Sequence, residues 1–203
     1  MGKLVFNLLR LLLCMLVLEG CGVRQELLSY EIRDAVVTIT DCNETAEGDL
    51  EIPAEIEGLP MTSIGEGAFA ICIDLTTITI LGSVSNIGDS AFFDCRSLNS
   101  IIIPESVTSI GNAAFYDCSS LTSTTIPEGV TSIGDGAFNG CASLTSITIP
   151  DSVTSIGELA FFRCWNLTSV TIPQAFQSED EASRLGLDRI WPDGFALSVS
   201  ISK

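Results

Sequence analysis

Five cysteines stand 23 residues apart, at Cys72, Cys95, Cys118, Cys141 and Cys164. Aligned thiols can form disulfides or hold a soft metal such as zinc. Three carboxylates keep the same spacing at Glu105, Glu128 and Asp151, and such oxygen ligands suit calcium. No Asp-rich loop with calcium-ligand spacing accompanies them, so they read as a solvated edge. The chain has no histidine. That removes Ser-His-Asp and Cys-His catalysis, His-ligated zinc and any histidine pH switch. A glycosidase-like carboxylate pair would have to break the repeat, and the irregular acidic stretch is the one around Asp41 and Glu44. The reading is therefore a non-enzymatic protein, with no catalytic residue, cofactor or metal site.

The elements that position these residues repeat with the same period. Phenylalanine recurs at 69, 92, 115, 138 and 161, each time after alanine. Ile-Gly recurs at 64–65, 87–88, 110–111, 133–134 and 156–157, and leucine at 75, 98, 121, 144 and 167. A fixed period of roughly 20–50 residues marks a solenoid, in which each repeat buries its apolar side against its neighbours. Within one repeat, Leu98-x-x-Ile101-x-Ile103 alternates like a short strand, and Pro104 ends it because proline cannot donate to a ladder. The Gly-x-x-Ala-Phe-x-x-Cys portion reads as one or two turns of helix or 3₁₀ on the opposite side.

These patterns resemble a known family. The repeat Leu-x-x-Ile-x-Ile-Pro-x-x-Val-x-x-Ile-Gly-x-x-Ala-Phe-x-x-Cys is similar to the leucine-rich repeat of the BspA type, known from surface proteins of Treponema and Bacteroides-like bacteria. The resemblance covers about residues 30–173. It implies a leucine-rich-repeat horseshoe, with short parallel strands on the concave side and short helical or 3₁₀ turns on the convex side. It also implies cell-surface or secreted display with roles in adhesion and protein binding, and it transfers no catalytic residue. In that signature the cysteine position is a structural one. A buried thiol ladder is therefore the reading for Cys72, Cys95, Cys118, Cys141 and Cys164, since cysteine behaves as a small hydrophobe. Cys42 has no evident partner.

Stacking puts equivalent residues about 4.8 Å apart, so each column has one environment. The inward columns are the leucines, Ile78/Ile101/Thr124/Ile147/Val170, and Ile80/Ile103/Ile126/Ile149/Ile172. Thr124 is a polar intruder, expected to weaken the array locally. The outward columns are Thr77/Ser100/Ser123/Ser146/Ser169 and Thr79/Ile102/Thr125/Thr148/Thr171. Serine and threonine suit an exposed strand for its own sake. The functional reading is a broad binding face, although it lacks the aromatic and arginine anchors that usually dominate binding. Phe93, Tyr116, Asn139 and Phe162 form a half-buried column on the other side, and Trp165 is expected to pack under a C-terminal cap with Trp191.

Composition narrows the partner. The 203 residues carry a formal net charge of -17, and the two lysines lie at the two ends. A phosphate backbone needs clustered Lys and Arg, so nucleic acid is excluded as a partner. The N-terminus reads as an export signal over 1–21, with Leu11 to Leu18 apolar and Leu18-Glu19-Gly20-Cys21 resembling a bacterial lipoprotein site. Glu19 departs from that pattern. Cys21 is the expected lipid attachment and the membrane link, and free secretion is the alternative. Residues 22–29 read as a tether, 30–60 as a β-rich N-terminal cap, 61–173 as the repeat array and 174–203 as a C-terminal cap. The expected role is binding or adhesion to a protein or glycan partner at the cell surface. The second reading is an envelope spacer with no specific ligand.

Overall fold

The computed structural model describes residues 27–176 and 178–187. Cys21 and residues 1–26, and the apolar group from Trp191 to Ile201, lie outside them. The described residues begin with a hairpin of β1 (Leu28–Arg33) and β2 (Val36–Cys42). Asp34 and Ala35 join the strands with φ of 51° and 62°, the two left-handed residues that let a tight turn follow strand twist. β3 (Glu47–Ile52) follows, and β4 (Glu55–Ile56) turns back on β5 (Leu59–Ile64).

From β5 onward the chain winds as a solenoid of about six turns with mostly parallel strands. Two ladders run along it. The first joins β2 to β5, then β7 (Asn86–Ile87), β9 (Ser109–Ile110), β10 (Ser132–Ile133) and β12 (Ser155–Ile156). From β5 onward each step pairs residues 23 apart, such as Ile64 with Ile87 and Ile87 with Ile110. The second ladder joins β3, β6 (Asp74–Ile80) and β8 (Ser100–Ile102), and resumes with β11 (Ser146–Thr148) and β13 (Ser169–Thr171). Between β8 and β11 it survives as one bridge, Ser100 to Ser123.

That gap falls on Thr124. Its Oγ1 is buried and has no hydrogen-bond partner. An isoleucine there would fill the column of Ile101 and Ile147, both buried. Thr124→Ile is expected to raise stability by about 1–3 kcal/mol, because an unsatisfied hydroxyl is removed and apolar surface is added. Urea unfolding measures this, and an unchanged midpoint would show that the site is already adapted to threonine.

The turn segments depart from the sequence expectation in detail. They contain no helix within the array. Ala70 N–H bonds Gly67 O and Cys72 N–H bonds Phe69 O, the i→i+3 pattern of 3₁₀ turns. The amides between them serve the next rung instead: Gly67, Phe69 and Ile71 donate to Asp89, Ala91 and Phe93. Left-handed residues at two places per rung, such as Asp94 and Asp117 in one column, make this alternation possible. A helix about 10 Å wide cannot stack at about 4.8 Å without fanning the array, whereas flat turns bonded rung to rung keep strand spacing.

The core lies between ladders and turns. Phe69, Phe92, Phe115 and Phe138 stack with centroids 5.1–5.2 Å apart, and Phe161 continues the column at 5.9 Å. All five are fully buried. At the C-terminal end Phe176 takes the place of Val107, Val130 and Val153, bonding Pro173 O as they bond their own prolines. α1 (Glu179–Arg184) then closes the stack, capped by Ser178 Oγ accepting from Glu181 N–H. Its end supplies what a further rung would: Arg184 O and Leu185 O accept from Leu159 and Phe161 N–H. Arg184 Nη1 donates to Ile156 O at 2.6 Å. Trp165 is 58% exposed, so it does not pack beneath this cap: the buried places there belong to Leu185, Leu187 and Phe176.

Candidate functional site

The second ladder sets the outward hydroxyl face. Strand alternation buries Ile78, Ile101, Ile147 and Val170 and turns their neighbours outward. Thr77 pairs with Ser100 and Thr79 with Ile102 at one end; Ser146 pairs with Ser169 and Thr148 with Thr171 at the other. Ser123 and Thr125 lie in the gap between these two patches, and both are exposed. All ten residues are exposed or half-buried.

The hydroxyls of the array fall into two sets. Thr122, Thr145 and Thr168 donate to backbone carbonyls of the preceding rung, at 3.1–3.4 Å. Thr108, Thr131 and Thr154 do the same beside the first ladder, at 3.0–3.3 Å. These hydroxyls tie rungs together. Those of Thr77, Thr79, Ser100, Ser123, Thr125, Ser146, Thr148, Ser169 and Thr171 make no such bond among the described residues. They face solvent with their hydrogen-bonding capacity unspent.

The cysteines occupy a buried column of free thiols. Cys95, Cys118, Cys141 and Cys164 donate to Phe69, Phe92, Phe115 and Phe138 carbonyls of the preceding rung, at 3.0–3.2 Å. Burial pushes the Cys118 and Cys141 thiols up, and Cys164 to about 12. Contact with the Cys118 thiol and then burial raise Cys95. The thiolate is the nucleophile and metal ligand, so these four are held as inert thiols; Cys72 is the exception, its hydrogen bond with Cys42 holding it below the ordinary thiol range. Cys42 stands at the foot of the column against Cys72, whose hydrogen bond pushes the Cys42 thiol up. A spacing of 30 rather than 23 hid that membership in the sequence.

A polar ladder beside the first sheet was also missed. Asp89 Oδ1 accepts from Asn112 N–H, Asn112 Oδ1 from Asp135 N–H, and Asp135 Oδ1 from Glu158 N–H, at 2.7–2.9 Å. These side chains line a shallow groove of about 310 Å³ with Ser109, Ser132 and Ser155. The signal was present as the residue after each Ile-Gly pair, where short polar side chains readily bond backbone. Glu105, Glu128 and Asp151 are exposed and do not line this groove. Among the described residues no three His, Cys, Asp or Glu side chains converge to hold a metal.

Comparison with known proteins places this geometry. The BspA type leucine-rich repeat region matches residues 62–183 in six copies. The chain belongs to the BspA-type leucine-rich repeat family. A leucine-rich repeat protein of T. pallidum superposes with TM-score 0.71 at 27% identity, over 80% of this chain and 77% of that one. A leucine-rich repeat protein from Bacteroides ovatus gives TM-score 0.63 at 30% identity, over 71% of this chain and 45% of that one. The pneumococcal vaccine antigen PcpA, at 20% identity and TM-score 0.52, shares the fold over 73% of this chain and 49% of its own length. No curated protein matches. The family match extends past Pro173 to residue 183, within α1, and Phe176 fills the valine column there.

Proposed function

We propose that this protein is an exported, non-enzymatic leucine-rich repeat protein that binds a protein or glycan partner at the cell surface through its hydroxyl face. The observation that carries the reading is the division of labour among the hydroxyls. Two columns are consumed by rung-to-rung bonds, and the outward columns of the second ladder are left for a ligand. Nothing in the fold needs them there except strand preference. The mechanism is shape with many weak contacts on a rigid scaffold, so several displayed copies add avidity.

The test is binding to immobilised matrix proteins and glycans, beside a variant with Thr79, Thr125, Thr148 and Thr171 changed to Ala. The variant is expected to keep its fold by circular dichroism and to lose most of its saturable binding. Undiminished binding would sink the hydroxyl face, and the absence of any saturable ligand would favour the spacer reading. Export and anchoring through Cys21 belong to the same proposal. The intact mass of the mature protein, beside Cys21→Ser, is expected to show acylation at Cys21 that the variant lacks; an unmodified, detergent-insensitive species would mean free secretion.

A further inference from the structure

The repeats serve as an internal control for what a position holds when only stacking matters. In the second outward column, threonine stands at 79, 125, 148 and 171, and isoleucine at 102. After the strand, proline stands at 104, 127, 150 and 173, and leucine at 81. Strand register brings these two departures near each other. Ile102 pairs with Thr79. Leu81 lies two residues after Thr79 on the same side, its N–H donating to Ile52 O at 3.0 Å. Leu81 and Ile102 are therefore one diagonal step apart, within reach of long side chains. Ile102 is 56% exposed and Leu81 37%. A lone exposed aliphatic needs no explanation. Two that leave the repeat pattern independently and adjoin on a hydroxyl surface do.

The charge beside them has one sign. In β3, Asp49 pairs with Thr77 and Glu51 with Thr79, and both carboxylates are exposed. The arginines among the described residues are engaged elsewhere: Arg33 with Glu31, Arg96 with Asp94, Arg184 with Glu181, and Arg163 over the Phe162 ring. The surface thus joins an aliphatic spot to an uncompensated acidic flank.

We propose that Leu81 and Ile102, with Asp49 and Glu51, form the docking surface for a cationic polypeptide segment that carries an aliphatic or aromatic side chain. The side chain seats on Leu81 and Ile102, and flanking Lys or Arg groups meet Asp49 and Glu51. This rests on the strand-face reading above, placing it at the N-terminal end of the face and making the partner a protein. The apolar contact supplies most of the affinity, and the charges supply register and association rate.

The experiment uses a synthetic peptide of alternating Lys and Leu, with Glu–Leu and Lys–Ser peptides as controls, followed by fluorescence anisotropy and amide chemical shifts. The Lys–Leu peptide is expected to bind and to shift residues of β3, β6 and β8. Leu81→Thr with Ile102→Thr should weaken it roughly tenfold or more, with the fold kept, since threonine already occupies the column of Ile102. Asp49→Asn with Glu51→Gln should flatten the salt dependence, and Glu128→Gln with Asp151→Asn should not. Equal binding of the Lys–Ser peptide, or full binding by the Leu81/Ile102 variant, overturns the proposal. Shifts confined to Ser146, Thr148, Ser169 and Thr171 also overturn it while sparing the hydroxyl face as a binding surface.

Discussion

Phe115→Ala is expected to lower the stability of the array by about 3–5 kcal/mol, the range for truncating a buried aromatic. Phe115 is fully buried. Its ring lies 5.2 Å from Phe92 and 5.1 Å from Phe138, so one truncation empties a slot and breaks two ring contacts. Such contacts are each worth about 0.5–1.5 kcal/mol beyond area burial. In a solenoid each rung leans on its neighbours alone, so a gap in the middle rung uncouples both halves. Chemical denaturation with hydrogen exchange tests this: protection should fall first on both sides of residue 115. Phe161→Ala is expected to cost less, because its one ring neighbour among the described residues is farther, at 5.9 Å. Equal losses at both positions would mean that ring stacking contributes little to coupling.

Gly134→Ala is the second large effect, about 1–3 kcal/mol or more, as for other overpacked sites. A Cβ there would lie 2.5 Å from Asn112 N and 2.6 Å from Gly111 C. Those are backbone atoms of the preceding rung, which cannot rotate aside. Relief requires the rungs to part, and Gly134 N–H to Ile110 O, at 2.9 Å, would lengthen with them. Gly136→Ala makes the contrast. Its φ is +58°, and the nearest atom to a new Cβ is Asn139 Cβ at 3.7 Å. Ala113 already holds the same place one rung earlier with φ 51°, so that change should be mild. Melting temperatures of the two variants separate close packing from backbone conformation, and a mild effect at Gly134 would show that the rungs can yield.

Glycine at 65, 88, 111, 134 and 157 was legible as a period, but its reason was not. Only the fold reveals that this column presses backbone on backbone, as at Gly88 against Gly65 and Glu66. The first ladder was unreadable for a related cause. A Ser-Ile dipeptide is too short to show strand alternation, and it becomes a sheet only because four of them and Asn86-Ile87 stack across 23-residue separations. The turns read as helix or 3₁₀ because apolar spacing of three and four is common to both; the i→i+3 bonds are the 3₁₀ alternative, and the destination of the amides between them is invisible in one dimension.

By itself the sequence determined the period, the solenoid, the BspA-type family and the inward leucine and isoleucine columns of the core. Those follow from local pattern, since identical repeats can bury identical faces only by stacking. It also exposed Thr124 as the misfit, because a polar residue in an apolar column is visible without coordinates. Tertiary structure alone decided that the hydroxyl face is two patches around that misfit. It also decided which hydroxyls are spent between rungs, that Cys42 joins the thiol column, and that Arg184 stands in for a missing rung. Each of these is a contact across rungs, set by geometry that residue spacing does not encode: how backbone amides and carbonyls are shared between neighbours.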